Sequence, residues 1–219
     1  MNLLALDAVT PHASVAVSCD GEIRYERTWL AGRNHASALP PILCESMTVS
    51  DLVFPDLDGV VVGIGPGSYT GIRIALALAK GIQAATGCTL LGISTLEQIA
   101  YGNAAWGGPI CSAALLGRDR VGCALFQGSW QGWSRMTEDA SYPLDALPSL
   151  SPGALVCGSG RTVFAAADVT YAPPQGDIPT AGDLLALAGR PGRIEQAANS
   201  FVPNYLRLST PEERLVAAP

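Results

Sequence analysis

The chain has 219 residues, of which 48% are hydrophobic, and it carries a formal net charge of −6. This length and apolar content predict one large domain or two small ones, and the acidic balance argues against a protein that holds RNA or DNA by itself. The six cysteines form no CxxC pair and the two histidines no HExxH pattern, so we expect reduced thiols and no metal site. No basic and apolar leader and no bilayer-spanning apolar run appear, which predicts a cytoplasmic protein.

The first part of the chain is predicted to form a three-stranded meander over residues 3–7, 14–19 and 22–29. Asp20-Gly21 is a strong hairpin signal between the second and third strands. A strand, a turn with Asp and Ser/Thr, and a second strand can cradle a phosphate, which makes Asp7 and Thr10 candidates for such a site. The alternative is an ordinary turn in which the Asp7 side chain forms a hydrogen bond with the backbone of the turn itself. This arrangement is commoner for a lone Asp.

A first helix is predicted over residues 33–47, with Asn34 as N-cap and apolar residues at helical spacing. Pro40 and Pro41 would kink this helix or mark its true start. We favour a packing or capping role for His35 over a functional one. A brief turn after residue 50 and a short helix are expected to lead into the next strand.

The chain is organised around residues 60–87, which read as a buried strand, a glycine turn and a helix over residues 71–85. Ser68 or Thr70 is expected to cap this helix. The helix is apolar in nearly every direction, and such a helix must be buried on all sides. It is therefore either a core helix behind a tight turn or a docking helix for a partner subunit, and the periodicity alone leaves both open.

After this helix, a strand is predicted over residues 89–93, followed by a capping box in which Ser94 and Glu97 satisfy each other's backbone donors. The glycine-rich stretch near residue 103 is taken as a boundary between lobes of residues 1–103 and 104–219. The second lobe is predicted to contain a hairpin over residues 110–127, a strand over 154–158, a short helix over 161–166 and a linker over 173–179. A last helix over residues 180–189 is expected to be capped by Thr180 or Asp183.

Four segments in this order resemble the TsaB (YeaZ) family. They are LLALDAVTPHASVAV at the start, His35 with Leu39 and Pro41, GPGSYTGIRIALALAKG followed by ISTLEQIA, and the run Pro203, Tyr205, Leu206 and Arg207. The resemblance implies an α/β fold of the actin/Hsp70-like ATPase (ribonuclease H-like) type, with two lobes and a reduced second lobe. The chain departs from the family pattern at Ser37, where the family has Glu, and over residues 116–123, where LGRDRVGC replaces D-A-R-x-x-E-V-Y.

The same resemblance implies a non-catalytic partner of TsaD, the tRNA threonylcarbamoyltransferase, acting by heterodimerisation. With the ATPase TsaE, that enzyme modifies adenosine 37 of tRNAs reading codons that begin with A. We expect that the chain binds no cofactor, does not bind tRNA tightly and does not associate with a membrane. We also expect the isolated chain to homodimerise. The alternatives are an ATP-binding transferase or glycoprotease-like enzyme, for which no Ser–His–Asp context is visible, and a generic nucleotide-binding sensor.

Two groups of residues follow as candidate sites. The partner interface is predicted on the two helices of the first lobe, at His35, Leu39, Ile42, Leu43, Met47, Ile72, Ala75, Leu76, Ala79 and Ile82. A weak remnant of a phosphate site is predicted at Asp7, Thr10, Gly65, Gly67 and Ser68.

Overall fold

A computed structural model describes residues 1–32, 34–129, 132–165, 168–191, 193 and 201–206. Five strands of the first half form one sheet in the order β3-β2-β1-β4-β5. They are β1 (Asn2–Asp7), β2 (His12–Cys19), β3 (Glu22–Leu30), β4 (Gly59–Gly63) and β5 (Thr89–Ile93). β1 pairs antiparallel with β2 and parallel with β4, because a helical crossover precedes β4. The predicted meander is confirmed, and Asp20 and Gly21 both have the positive φ of its hairpin turn.

Two helices cover each face of this sheet. α1 (His35–Val49) and α2 (Tyr69–Thr86) pack on one face, and α3 (Thr95–Gly102) and α4 (Ala181–Ala188) pack on the other. Pro40 and Pro41 lie inside α1 and do not mark its start, and Asn34 precedes α1 without a side-chain cap bond. Residue 33, the predicted first residue of this helix, lies outside the described residues. The short helix expected before β4 is a 3-10 turn at Phe54–Asp56.

The second half forms a mixed sheet in the order β11-β10-β6-β7-β8, with β9 also paired to β7. Its strands are β6 (Pro109–Leu115), β7 (Arg120–Gln127), β8 (Ser134–Arg135), β9 (Ala140–Pro143), β10 (Ala154–Cys157) and β11 (Val169–Tyr171). The predicted hairpin and the strand β10 are confirmed. The predicted helix over 161–166 is a 3-10 turn at Arg161–Phe164, its last predicted residue lying outside the described residues, and the expected linker contains a 3-10 turn at Pro174–Asp177.

The two halves share one hydrophobic core. Leu96 and Ile99 of α3 and Leu184 of α4 pack between the two sheets, against residues such as Ile93 and Phe126. α4 is encoded late in the chain but contacts β1, β2, β3 and β4 of the first sheet. In the part of the chain that the structure describes, no helix has both the length and the apolar character needed to cross a membrane.

Candidate functional site

Helix α2 is placed by the tight turn before it. The Ser68 Oγ accepts a hydrogen bond of 3.1 Å from the Gly71 N–H, which confirms Ser68 as the N-cap, and Gly87 ends the helix with a φ of 76°. One side of α2, at Ile72, Ala75, Leu76 and Ala79, is buried on the sheet. The opposite side is not buried within this chain, so the expectation of a helix covered on all sides does not hold for the chain alone.

The exposed side of α2 is built from small and aliphatic residues. Ala77 and Gly81 are exposed, and Ile74 and Leu78 are half-buried between this side and the core. We call the surface formed by Thr70, Ile74, Ala77, Leu78, Gly81 and Ala84 the α2 outer face. α1 lies beside α2 and is exposed at Pro41 and Cys44. Small side chains let a second helix approach closely, so this pair of helices can accept helical neighbours.

The residues predicted for the partner interface lie mostly beneath this surface, not on it. Nine of the ten are buried in the core of the first half, and Ile82 is half-buried. These nine are His35, Leu39, Ile42, Leu43, Met47, Ile72, Ala75, Leu76 and Ala79. The apolar side chains of α1 and α2 that point to the sheet support the two helices, so these nine residues are covered by the chain itself.

His35 fits the packing role that the sequence favoured. It is 5% exposed and lies beside the backbone carbonyls of Thr10 and Gly32. Burial lowers its pKa, so the neutral imidazole is favoured. This histidine connects the start of α1 to the turn between β1 and β2.

The five residues of the predicted phosphate site meet in space, but they bond to the protein itself. Asp7 is 1% exposed, and its Oδ1 accepts a hydrogen bond of 3.1 Å from the Val9 N–H. The Thr10 Oγ1 accepts from the His12 N–H at 3.2 Å and so closes the same turn. Both side chains therefore act as the ordinary turn residues of the alternative reading.

The glycine turn before α2 packs directly on that β1–β2 turn. The Ser68 N–H donates to the Val9 carbonyl at 2.8 Å, and a Cβ at Gly67 would lie 2.5 Å from the same oxygen. Gly65 has a φ of 101°, and a Cβ there would lie 2.9 Å from the Asn204 carbonyl oxygen. Backbone from Val9 and Asn204 thus lies against the glycines that a phosphate would have to approach. Among the described residues, no group of three His, Cys, Asp or Glu side chains could hold a metal ion.

The run near the chain end that carried part of the resemblance returns to this turn. The Asn204 N–H donates to the Ile64 carbonyl at 2.8 Å, and the Tyr205 ring lies 5.1 Å from the Tyr69 ring. The Arg73 guanidinium lies 3.9 Å from the centre of the Tyr69 ring. Residue 207 of the same run lies outside the described residues. No local pattern in the sequence indicated that this run would reach the start of α2.

A polar cleft of about 550 Å³ lies between β5, α3 and the second sheet, and sequence reasoning missed it. Glu97 lies at its base and pairs with Arg135 at 3.2 Å and with Arg193. Arg135 also pairs with Asp139 at 2.6 Å. The predicted capping box is therefore wrong: Ser94 accepts from the Leu96 N–H, while the Glu97 carboxylate turns to these arginines. Within the cleft, Glu97 and Asp139 are paired with the two arginines.

Replacing Glu97 with Ala is expected to destabilise the chain by about 2 kcal/mol, because two arginines lose a carboxylate whose side chain is only 3% exposed. The cost is limited because the arginine side chains are 22% and 32% exposed and gain solvation. Urea unfolding measures the change. The variant Glu138→Ala, at an exposed position of the same cleft, is the control and should leave stability nearly unchanged.

A family model and solved structures of other proteins are similar to this chain. The family model described as "TsaD: tRNA N6-adenosine threonylcarbamoyltransferase" matches residues 29–120. A crystal structure of an uncharacterized Pseudomonas aeruginosa protein with similarity to peptidase YEAZ is 25% identical and covers 94% of this chain and 99% of its own, with a TM-score of 0.77. YeaZ from Pseudomonas aeruginosa is also 25% identical, covering 86% of this chain and 90% of its own at a TM-score of 0.75.

Two curated relatives agree with these structures. The "tRNA threonylcarbamoyladenosine biosynthesis protein TsaB" of Escherichia coli K12 is 34% identical over 106 residues, which are 48% of this chain and 45% of that protein. The protein of the same name from Bacillus subtilis 168 is 28% identical over 127 residues, 58% of this chain and 56% of its own. The chain thus spans about half the length of the curated relatives it matches.

The two sheets, with helices on both faces of the first, form the α/β fold that this chain shares with the two Pseudomonas aeruginosa structures. The sequence motifs, the curated relatives and the two structures all point to one protein family. That family is the TsaB (YeaZ) family, which the relatives and structures support for this chain.

Proposed function

We propose that this chain is a non-catalytic subunit in the biosynthesis of threonylcarbamoyladenosine in tRNA, and that it acts by binding a partner of the TsaD kind. The observation that carries the proposal is the α2 outer face, an exposed surface of small and aliphatic residues on the central helix of the first half. A contiguous surface of this kind is typical of an interaction site. Relatives of the chain are named for the same biosynthesis.

The family comparison supports the identity of the partner. The matching TsaD model spans residues 29–120, which contain both α1 and α2. A protein of the TsaD kind is therefore expected to carry a similar pair of helices. Two similar surfaces can meet about an approximate twofold axis, so that four helices form a bundle. The isolated chain is expected to homodimerise through the same surface until the partner displaces one copy.

The surroundings of Asp7 support a role without catalysis. Its carboxyl is buried and bonded within its own turn, and the backbone of Val9 lies against Gly67 and Ser68. We therefore propose that the chain neither hydrolyses ATP alone nor binds tRNA tightly. The chain associates with the ATPase TsaE only through its complex with TsaD, and this assembly acts in the cytoplasm. The base that it modifies is adenosine 37 of tRNAs that read codons beginning with A.

Reconstitution tests the proposal directly. The threonylcarbamoyl-adenylate synthase, TsaD, TsaE and tRNA are combined with and without this chain, and modified adenosine is measured by nucleoside mass spectrometry. We expect modification only when the chain is present, and no ATP hydrolysis by the chain alone. Full modification without the chain, or ATP hydrolysis by the chain that Asp7→Ala removes, would contradict the proposal and favour an enzyme in its own right.

Binding is measured separately from modification. Native mass spectrometry of the chain mixed with TsaD should show a one-to-one complex, and sedimentation of the chain alone at micromolar concentration should show a dimer. A chain that stays monomeric and does not associate with TsaD would exclude the partner role even if the modification assay were affected.

A further inference from the structure

Two buried oxygen atoms face one another where the first sheet meets α3. Asp7 Oδ2 and Gln98 Oε1 are both buried without a hydrogen-bond partner. They lie around the same point above Gly63, because a Cβ on that glycine would be 2.0 Å from Asp7 Oδ2 and 3.3 Å from Gln98 Oε1. An ionised carboxylate and an amide oxygen both only accept hydrogen bonds, so with Asp7 ionised this arrangement sets two acceptors against each other.

Turning the Gln98 amide over does not remove the conflict. The Gln98 Nε2 donates to the Thr180 carbonyl oxygen at 2.8 Å, at the start of α4. With the amide reversed, its nitrogen could donate to Asp7, but its oxygen would then face the Thr180 carbonyl, which is also an acceptor. Either orientation therefore leaves one pair of acceptors in contact in a buried site. One additional proton between Asp7 and Gln98 resolves the whole chain of contacts.

We propose that Asp7 holds a proton in the folded protein and that its Oδ2 donates this proton to Gln98 Oε1. The bond completes a buried connection from the Val9 N–H through Asp7 and Gln98 to the Thr180 carbonyl, and so ties β1 to α3 and α4. Loss of this one proton restores the conflict between acceptors and weakens the junction. The junction is thereby a pH-sensitive element of the fold.

The electrostatic surroundings of Asp7 agree with the geometry. Burial raises its pKa to about 7, even though the Val9 N–H, and the Gln98 amide in the orientation in which its nitrogen faces Asp7, favour the ionised form. No charged side chain of the described residues contributes to this pKa: β4 presents Gly63, and α3 presents Gln98. The acid on the first turn of α4, Asp183, accepts a hydrogen bond from the Thr180 hydroxyl, and burial raises its pKa to about 6.

The sign of the pH dependence follows from the difference between folded and unfolded chain. The pKa of Asp7 rises from 3.8 to about 7 on folding, so the folded protein binds the proton more tightly. This contribution to stability is complete below about pH 4 and is lost as the pH rises to about 7. Asp7→Asn keeps the shape of the protonated group, because the Asn amide can donate to Gln98 Oε1 and accept from the Val9 N–H.

Urea unfolding of the wild type and of Asp7→Asn between pH 4.5 and 8 measures the effect. The folding equilibrium constant of Asp7→Asn is expected to increase on the order of 100-fold relative to the wild type across this range. Asp183 is present in both proteins, so its titration cancels. Asp51→Asn, the same substitution at an exposed position where a positive φ suits Asn, controls for the loss of one carboxyl group. A constant ratio for Asp7→Asn would overturn the proposal.

Carbon NMR of the wild-type protein tests the proton directly. The Asp7 carboxyl resonance, assigned by its absence in Asp7→Asn, should titrate well above 3.8, the ordinary pKa of an aspartate carboxyl, at a midpoint of about 7. Gln98→Met removes the acceptor and should lower the titration midpoint of Asp7. A midpoint near 3.8, or a midpoint that rises in Gln98→Met because Gln98 had been donating to a carboxylate, would show that Asp7 is ionised and overturn the proposal.

Discussion

Replacing Ala77 with Glu is expected to abolish binding to a TsaD-type partner while the chain itself stays folded. Ala77 is exposed at the centre of the α2 outer face, so the new carboxylate remains in water in the isolated chain. In a packed helical interface the same carboxylate would lose its solvation, and its side chain would occupy the space that a closely approaching helix needs, which together cost on the order of several kcal/mol. The dissociation constant should therefore rise on the order of 100-fold or more, with a matching loss of tRNA modification.

Two variants of α2 make this result specific. Gln83→Glu adds the same charge at an exposed position outside the α2 outer face and should leave partner binding nearly unchanged. Ala79→Glu lies two residues from Ala77 but points into the core, where Ala79 is 0% exposed, and should unfold the chain. Calorimetric titration with TsaD measures affinity, and circular dichroism confirms folding. Unchanged affinity of a folded Ala77→Glu protein would show that the α2 outer face is not the interface.

Gly71→Ala is expected to destabilise the chain by about 4 kcal/mol or more. A Cβ on Gly71 would lie 1.8 Å from the Ala8 carbonyl oxygen, so α2 and the β1–β2 turn could not keep their present contact. Both partners in this contact are backbone segments, α2 at Gly71 and the chain at Ala8. Backbone cannot move aside as the end of a flexible side chain could. The position of α2 and the cap bond from Gly71 to Ser68 would both be lost.

Gly81→Ala is the matched control for this prediction. It is the same substitution on the same helix, but no atom beyond the adjacent backbone of α2 lies within 4 Å of the new Cβ. The higher helix propensity of alanine should stabilise the chain by about 0.5–1 kcal/mol. Urea unfolding of both variants gives the comparison. Equal stability of the two variants would mean that Gly71 does not contact the backbone of Ala8.

Features decided within a few residues were predicted from the sequence. The Asp20-Gly21 hairpin, the Ser68 cap, the hairpin of β6 and β7, and the Thr180 cap of α4 all depend on local backbone preferences and nearby side chains. The ordered motifs at the start, in the first helix, around the glycine turn and near residue 205 also predicted an α/β fold and a resemblance to the TsaB (YeaZ) family, which the relatives support.

Features that depend on distant partners were decided only by the tertiary structure. α2 is apolar in nearly every direction, so its periodicity does not tell which side faces the sheet, and most residues predicted for the interface are buried on that side. Glu97 has the spacing of a capping box, but Arg135 and Arg193 provide stronger partners for its carboxylate than a backbone N–H. Asp7 meets Gln98, which is bonded in turn to Thr180. Local sequence determines how each segment begins and turns, whereas the direction of a side chain and the charge of a buried one depend on residues that only folding brings beside it.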